Sequence, residues 1–189
     1  PTTVDELIAT CNTIRENGYD PIAIGDKDGW PAVILCGDYY AQQTADYGEL
    51  NKILTGEDTF PGNEVFRNAF ATVVELGQNG AYMSGFSSTD HNTAIQAFAA
   101  GQTAMLYCGS WWSSIAGGTD NGFTLDVIQL PLMEGLTDNV SVQLCADIAL
   151  LPTKDANESA LGKFFDYISD GGYWTVMGNE YNSFTMVSS

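Results

Sequence analysis

Hydrophobic and polar positions alternate along this chain with helical spacing more often than with strand spacing, and turn residues divide the two. Thr3, Val4, Asp5 and Glu6 form a capping box, with Thr3 as N-cap and Glu6 reaching back. Val4, Leu7, Ile8, Cys11 and Ile14 then share one helix face, and Gly18 closes the helix in a left-handed position. Pro21 to Gly25 reads as a short buried strand and Asp26 to Gly29 as a polar loop. Pro31, suited to a first helical turn, opens a predicted helix to Ala45. A short helix is expected from Glu49 to Leu54, then a loop from Thr55 to Gly62. Asn63 caps a helix to Leu76, with Phe66, Ala69, Phe70, Val73 and Val74 inward and Gly77 and Gly80 ending it. Thr89 or Asp90 caps the next, with Ile95, Phe98 and Ala99 inward and Gly101 at its end.

Strands are expected at Thr103 to Cys108, Phe123 to Leu130 and Val142 to Leu151. Between the first two, a short helix begins at Ser110 and stops at Gly117 and Gly118. Lys154 to Glu158 opens an amphipathic helix whose Leu161, Phe164, Phe165 and Ile168 face inward. Gly171 and Gly172 break it before a last short helix holding Tyr173, Trp174 and Met177. The pattern is that of an α/β fold, helix-rich with a small mixed sheet, and with no repeat or linker the expectation is one domain over residues 1–189.

Composition narrows the function. Six Lys and Arg against 24 Asp and Glu leave a formal net charge of −18. Such a surface repels phosphate backbones and anionic lipids, which excludes nucleic acid as a partner and argues against a membrane surface. Arg15 and Arg67 are the only arginines, so no guanidinium cluster is expected for an anionic ligand. No apolar run is long enough to insert this segment in a membrane. The opening residues Pro1 to Asp5 lack a basic and apolar leader, so the expectation is a piece of a longer chain. Cys11, Cys36, Cys108 and Cys145 are widely and irregularly spaced, which reads as buried thiols, with one disulfide as the alternative, and gives no metal site. Asp26, Lys27, Asp28 and Gly29 open like a calcium loop, but no Glu follows at the required distance. No cofactor is expected.

Several stretches, in order, resemble the bacterial extracellular solute-binding proteins of ABC importers, the family that includes maltodextrin receptors. The strongest runs from Asp90 to Trp111, with Phe98, Gly101, Ala104, Met105, Gly109 and Trp111 at the family's positions. Pro21 to Gly25 followed by Asp28, Gly29, Trp30 and Pro31 is the second, and the strands ending at Pro131 and Pro152 before a helix from Ala160 to Tyr167 are the third. The resemblance implies the C-terminal lobe of a two-lobed, type II periplasmic-binding-protein-like receptor. Its partners would be a sugar, the N-terminal lobe lying outside this chain, and ABC permease subunits. It would stand outside the cytoplasmic membrane, extracellular or periplasmic, as an anchored lipoprotein. Many relatives carry a Gly-Gly pair with an aromatic near residue 148, where this chain has Gln143 to Asp147.

A neutral sugar offers apolar C–H faces to aromatic rings and hydroxyls to carboxylates and amides. The candidate ligand-binding residues are therefore Trp30, Trp111 and Trp112 for stacking, with Asp28, Asp147, Ser110 and Tyr39 as polar partners. The alternative for Trp30 is a core ring under the helix from Pro31, and the alternative for Asp28 is a turn residue. One of the neighbours Trp111 and Trp112 is expected in the core, because the two cannot face the same way. In an open α/β sheet ligands gather outside the carboxyl ends of strands. Trp30 and Trp111 each follow a predicted strand, so the expectation is two indoles on one rim. His91, the only histidine, reads as a solvated residue in a first helical turn, and no catalytic residue stands out. The rival functions are a carbohydrate-active hydrolase, a receptor of the same fold for a peptide or polyamine, and an interaction domain without a small ligand.

Overall fold

The structure is a computed structural model that describes residues 1–44, 47–109, 111–112, 122, 124–137 and 153–181. Its described residues fall into two compact units. One is built from Pro1–Cys108 with part of Asn121–Leu144, the other from part of Gly109–Asp120 and Cys145–Ser189.

The first unit begins with α1 (Val4–Glu16). Thr3 Oγ1 accepts from the Glu6 N–H at 3.3 Å, as the capping box requires. Glu6 reaches back one residue further than expected, accepting from Thr2 N at 2.7 Å and Thr2 Oγ1 at 2.8 Å. Those bonds stabilise the carboxylate and hold the Glu6 pKa low. At the other end Gly18 adopts φ +85°, and the Gly18 and Tyr19 N–H groups donate to Arg15 and Ile14 carbonyls, a Schellman ending. Strand β1 (Asp20–Ala23) follows, then α2 (Trp30–Gln43), α3 (Gly48–Leu54) and α4 (Glu64–Gln78). A 3₁₀ turn at Phe86–Ser88 leads to α5 (His91–Ala99) and β2 (Thr103–Leu106).

β1 and β2 pair in parallel, Ile22 opposite Met105 and Ala23 opposite Leu106. Ile22 also bridges Tyr82 in parallel, and Thr3 bridges Leu132. The expected mixed sheet is thus a small parallel one among the described residues. The expected strand over residues 123–130 carries no ladder in its described part, where Val127 is 90% exposed. The strand expected over residues 142–151 lies outside the described residues.

The core lies between the sheet and α1, α2 and α4. Val4, Leu7, Cys11, Leu35, Tyr39, Val73 and Leu76 fill it, and Tyr40 and Phe66 stack between α2 and α4 at 4.7 Å. Gln42 is a buried polar residue with a full account. Its Nε2 donates to the Pro131 carbonyl at 3.0 Å and its Oε1 accepts from Met133 N at 3.1 Å, which pins that segment to α2. Asn63 caps α4 through Phe66 N. The inner face of α4 is turned from the expected one: Phe70 is 63% exposed and Val74 is exposed, while Thr72 and Leu76 are buried. Gly77 lies inside this helix and does not end it. Cys11 is a free thiol pushed up to about 11 by burial, and Cys36, also free, is raised for the same reason.

In the second unit, α6 (Glu158–Ser169) is capped by Asn157, whose Oδ1 accepts from Ala160 N at 2.9 Å. None of its residues is buried, so the inward placing of Phe164 and Phe165 does not hold. After Gly171 at φ +84° comes α7 (Gly172–Tyr181). The Tyr167 ring lies so close over Gly172 that a Cβ there would stand 2.5 Å from its Cδ2. Among the described residues no helix is long and apolar enough to cross a membrane.

Candidate functional site

Parallel pairing puts the carboxyl ends of β1 and β2 on one edge of the sheet. The chain leaves β1 through Ile24 and Gly25, then turns at Asp26 to Gly29 into α2. Backbone bonds from Asp26 N to the Phe86 carbonyl (2.9 Å) and Lys27 N to the Thr89 carbonyl (3.1 Å) fasten this loop. Gly29 takes φ +78°, a left-handed conformation that favours glycine, and offers no side-chain cap. Asp26 does the capping instead, its Oδ1 accepting from Ala32 N at 2.9 Å. The carboxylate read as a calcium-loop opening is therefore tied to the helix start. α2 begins at Trp30, one residue earlier than the proline suggests.

Trp30 projects from this first turn and stays 37% exposed. Asp28 is exposed beside it in the loop. The Trp30 ring meets His91, the first residue of α5, at a centroid distance of 4.4 Å and an interplanar angle of 61°. His91 is not solvated, as its position in a first turn suggests, but only 9% exposed. Its burial has a backbone cause. Gly25 runs so close over α5 that a Cβ there would stand 2.6 Å from the Asp90 carbonyl carbon and 2.9 Å from His91 N. Asp90 closes the helix start, accepting from Thr93 N at 3.0 Å and Thr93 Oγ1 at 2.7 Å. On the β2 side, His91 Nε2 lies 3.5 Å from Cys108 Sγ. Two residues that sequence reasoning missed complete this edge: the Tyr107 hydroxyl donates to Asp38 Oδ2 at 2.5 Å. Burial raises the Asp38 pKa and the Tyr107 bond opposes it.

Desolvation pushes His91 below the ordinary imidazole value of 6.5, with the Asp90 charge pulling the other way. The unfolded chain therefore takes up this proton first as pH falls, so stability drops through the range below 6.5. Carboxylates held low by hydrogen bonds, such as Glu6 and Asp90, lose their contribution only further down, from about pH 4. The melting temperature is expected to fall between about pH 7.5 and 5.5, and to fall less in His91→Phe. Equal slopes in the two proteins would contradict this assignment.

The other expected site residues are distributed differently. Tyr39 is fully buried among core side chains, and its pKa is raised by burial. Trp111 and Trp112 belong to the second unit and are half-buried. The Trp111 indole folds back on its own chain, with Cε3 2.6 Å from where a Cβ on Gly109 would stand. The Trp112 N–H donates to the Gly109 carbonyl at 3.2 Å. Ser110 and Asp147 lie outside the described residues.

Comparison with known proteins gives a consistent frame. A family model described as bacterial extracellular solute-binding protein matches residues 1–172. An uncharacterized ABC transporter extracellular-binding protein of Pyrococcus horikoshii is 27% identical over 174 residues, covering 88% of this chain and 36% of that protein. A structure from work on xylan utilization by the thermophilic bacterium Caldanaerobius polysaccharolyticus is 26% identical, with a TM-score of 0.60 over 72% of this chain and 35% of the other. A chitin oligosaccharide binding protein shares the fold, at 20% identity and a TM-score of 0.61 over 71% of this chain and 34% of its own. The chain thus spans about a third of the length of these relatives.

Proposed function

The chain belongs to the bacterial extracellular solute-binding protein family, whose members capture solutes without chemistry, and from that premise we propose that it helps an ABC-importer receptor bind a neutral oligosaccharide. The observation that carries the proposal is Trp30: a partly exposed indole at the carboxyl edge of a parallel sheet, beside an exposed carboxylate at Asp28. The ring suits the C–H face of a sugar and Asp28 accepts from its hydroxyls. Ser110, Trp112 and Asp147 stay candidates on the chemistry of their side chains and position in the sequence, and Trp111 on the family resemblance as well. Tyr39 takes no part, because its ring is sealed from solvent.

A neutral ligand is favoured by how the two arginines are used. Arg15 donates to the Gly80 and Tyr82 carbonyls and pairs with Asp20 at 3.5 Å. Arg67 donates to the Pro61 and Gly62 carbonyls at 3.1 and 2.8 Å. Both guanidinium groups are thus engaged in holding backbone, and the surrounding charge of −18 repels anions. The similarity to a protein from work on xylan utilization supports a xylan-type oligosaccharide. In the full receptor the sugar closes the lobes by a hinge motion, and the loaded protein passes it to permease subunits in the membrane. The receptor stands outside the cytoplasmic membrane, held there as a lipoprotein.

A thermal-shift panel of the full-length receptor tests this. Xylo-, chito- and malto-oligosaccharides, spermidine and a short peptide form its arms. At a ligand concentration of about 100 times Kd the native state gains about 2.7 kcal/mol, so one sugar series is expected to raise Tm by several degrees. A shift with spermidine or peptide alone would overturn the oligosaccharide assignment.

A further inference from the structure

We infer that His91 is a positioning residue for the candidate sugar platform, fixing the plane in which the Trp30 indole meets its ligand; the inference rests on the ligand role proposed for Trp30. An indole on the first residue of a helix, more than a third exposed, has torsional freedom that packing must remove before it can serve as a preorganised surface. The ring contact at 4.4 Å and 61° supplies that packing. The edge-to-face arrangement is one that aromatic pairs favour.

A positioning residue must itself be held, and His91 is held from three sides. Asp90 caps the helix it starts, through two bonds to Thr93. The end of β1 presses on its backbone at Gly25, where no side chain fits. Cys108, just past β2, faces its Nε2 at 3.5 Å. The helix cap and the close approach of Gly25 thus fix the His91 main chain, Cys108 faces its ring, and the imidazole carries that constraint to the Trp30 indole on α2. Nothing in this chain of contacts requires the histidine to touch ligand. An aromatic ring of similar size would hold the indole, whereas a methyl group would release it.

Two measurements on the full-length receptor test this. The first is ligand-free: with 5-fluorotryptophan incorporated, the Trp30 resonance is assigned by its loss in Trp30→Phe. It is expected to move and broaden in His91→Ala and to stay narrow in His91→Phe. An unchanged resonance in His91→Ala would overturn the inference, whatever the ligand. The second is xylotetraose affinity in a double-mutant cycle. His91→Ala is expected to weaken binding about three- to ten-fold, His91→Phe to restore it, and His91→Ala to cost nothing more once Trp30 is already alanine. Equal losses from His91→Ala with and without Trp30 would overturn positioning while leaving the platform intact. No loss in Trp30→Ala, or no xylotetraose binding at all, would instead remove the xylan-type platform, and the fluorine spectrum would still decide the positioning role.

Discussion

Gly25→Ala is expected to destabilise the protein by about 1–3 kcal/mol, within the range for forced overpacking. Gly25 has no positive φ, so the cost is not backbone strain. It is a collision with main chain, since the new Cβ would stand 2.6 Å from the Asp90 carbonyl carbon and 2.9 Å from His91 N. No side-chain rotation relieves that, and β1 must part from the start of α5. For a chain of this size each kcal/mol lowers Tm by about 2–4 °C, so the loss is roughly 2–12 °C. Gly162→Ala provides the contrast. Gly162 lies within α6, where a Cβ meets nothing within 4 Å. Replacing it removes unfolded-state freedom and is expected to raise stability by about 0.4–1 kcal/mol. Thermal melts of the two variants should move in opposite directions. A Gly25→Ala protein as stable as wild type would mean that β1 and α5 do not approach as described.

That close approach explains why part of this site was legible from residues alone and part was not. Helix caps are local, so Thr3 and Asn63 could be read directly and the third cap narrowed to Thr89 or Asp90, of which the structure uses Asp90; each of the three accepts the N–H three residues on. The left-handed ending at Gly18 is equally local. Burial is not. Phe70 and Val74 are as apolar as Val73 and Leu76, yet the direction from which α2 packs on α4 leaves the first two outside. The apolar stripe of α6 has helical spacing and buries nothing among the described residues. His91 reads as a solvated first-turn residue because nothing nearby in sequence covers it. Its cover comes from Gly25 and Trp30, more than sixty positions earlier. Asp38 and Tyr107 were missed for the same reason, being joined across 69 positions. A core tyrosine and a platform tyrosine look alike in sequence, and Tyr39 proved to be fully buried. The family resemblance was legible because its glycines and aromatics keep their order along most of the chain, and the matched family model covers residues 1–172.

Trp30→Ala is expected to have the largest effect on binding. The exposed 37% of the residue corresponds to about 55–90 Å² of aromatic surface, if a side chain of this kind offers 150–250 Å². At roughly 25 cal/mol per Å² its cover by a sugar is worth about 1.5–2 kcal/mol. Stacking geometry adds about 0.5–1.5 kcal/mol beyond area. A total of about 2–3.5 kcal/mol corresponds to roughly 30- to 300-fold in Kd. Folding should be affected much less, because α2 is started by Asp26 and Pro31 and not by the indole. Calorimetric titration of the full-length receptor, wild type against Trp30→Ala, with the sugar that most raises its Tm, measures this directly. An affinity lowered by well over ten-fold in a protein that still melts cooperatively is the expected result. An unchanged affinity would contradict the account, because the sugar would then be bound without the indole that projects at the sheet edge.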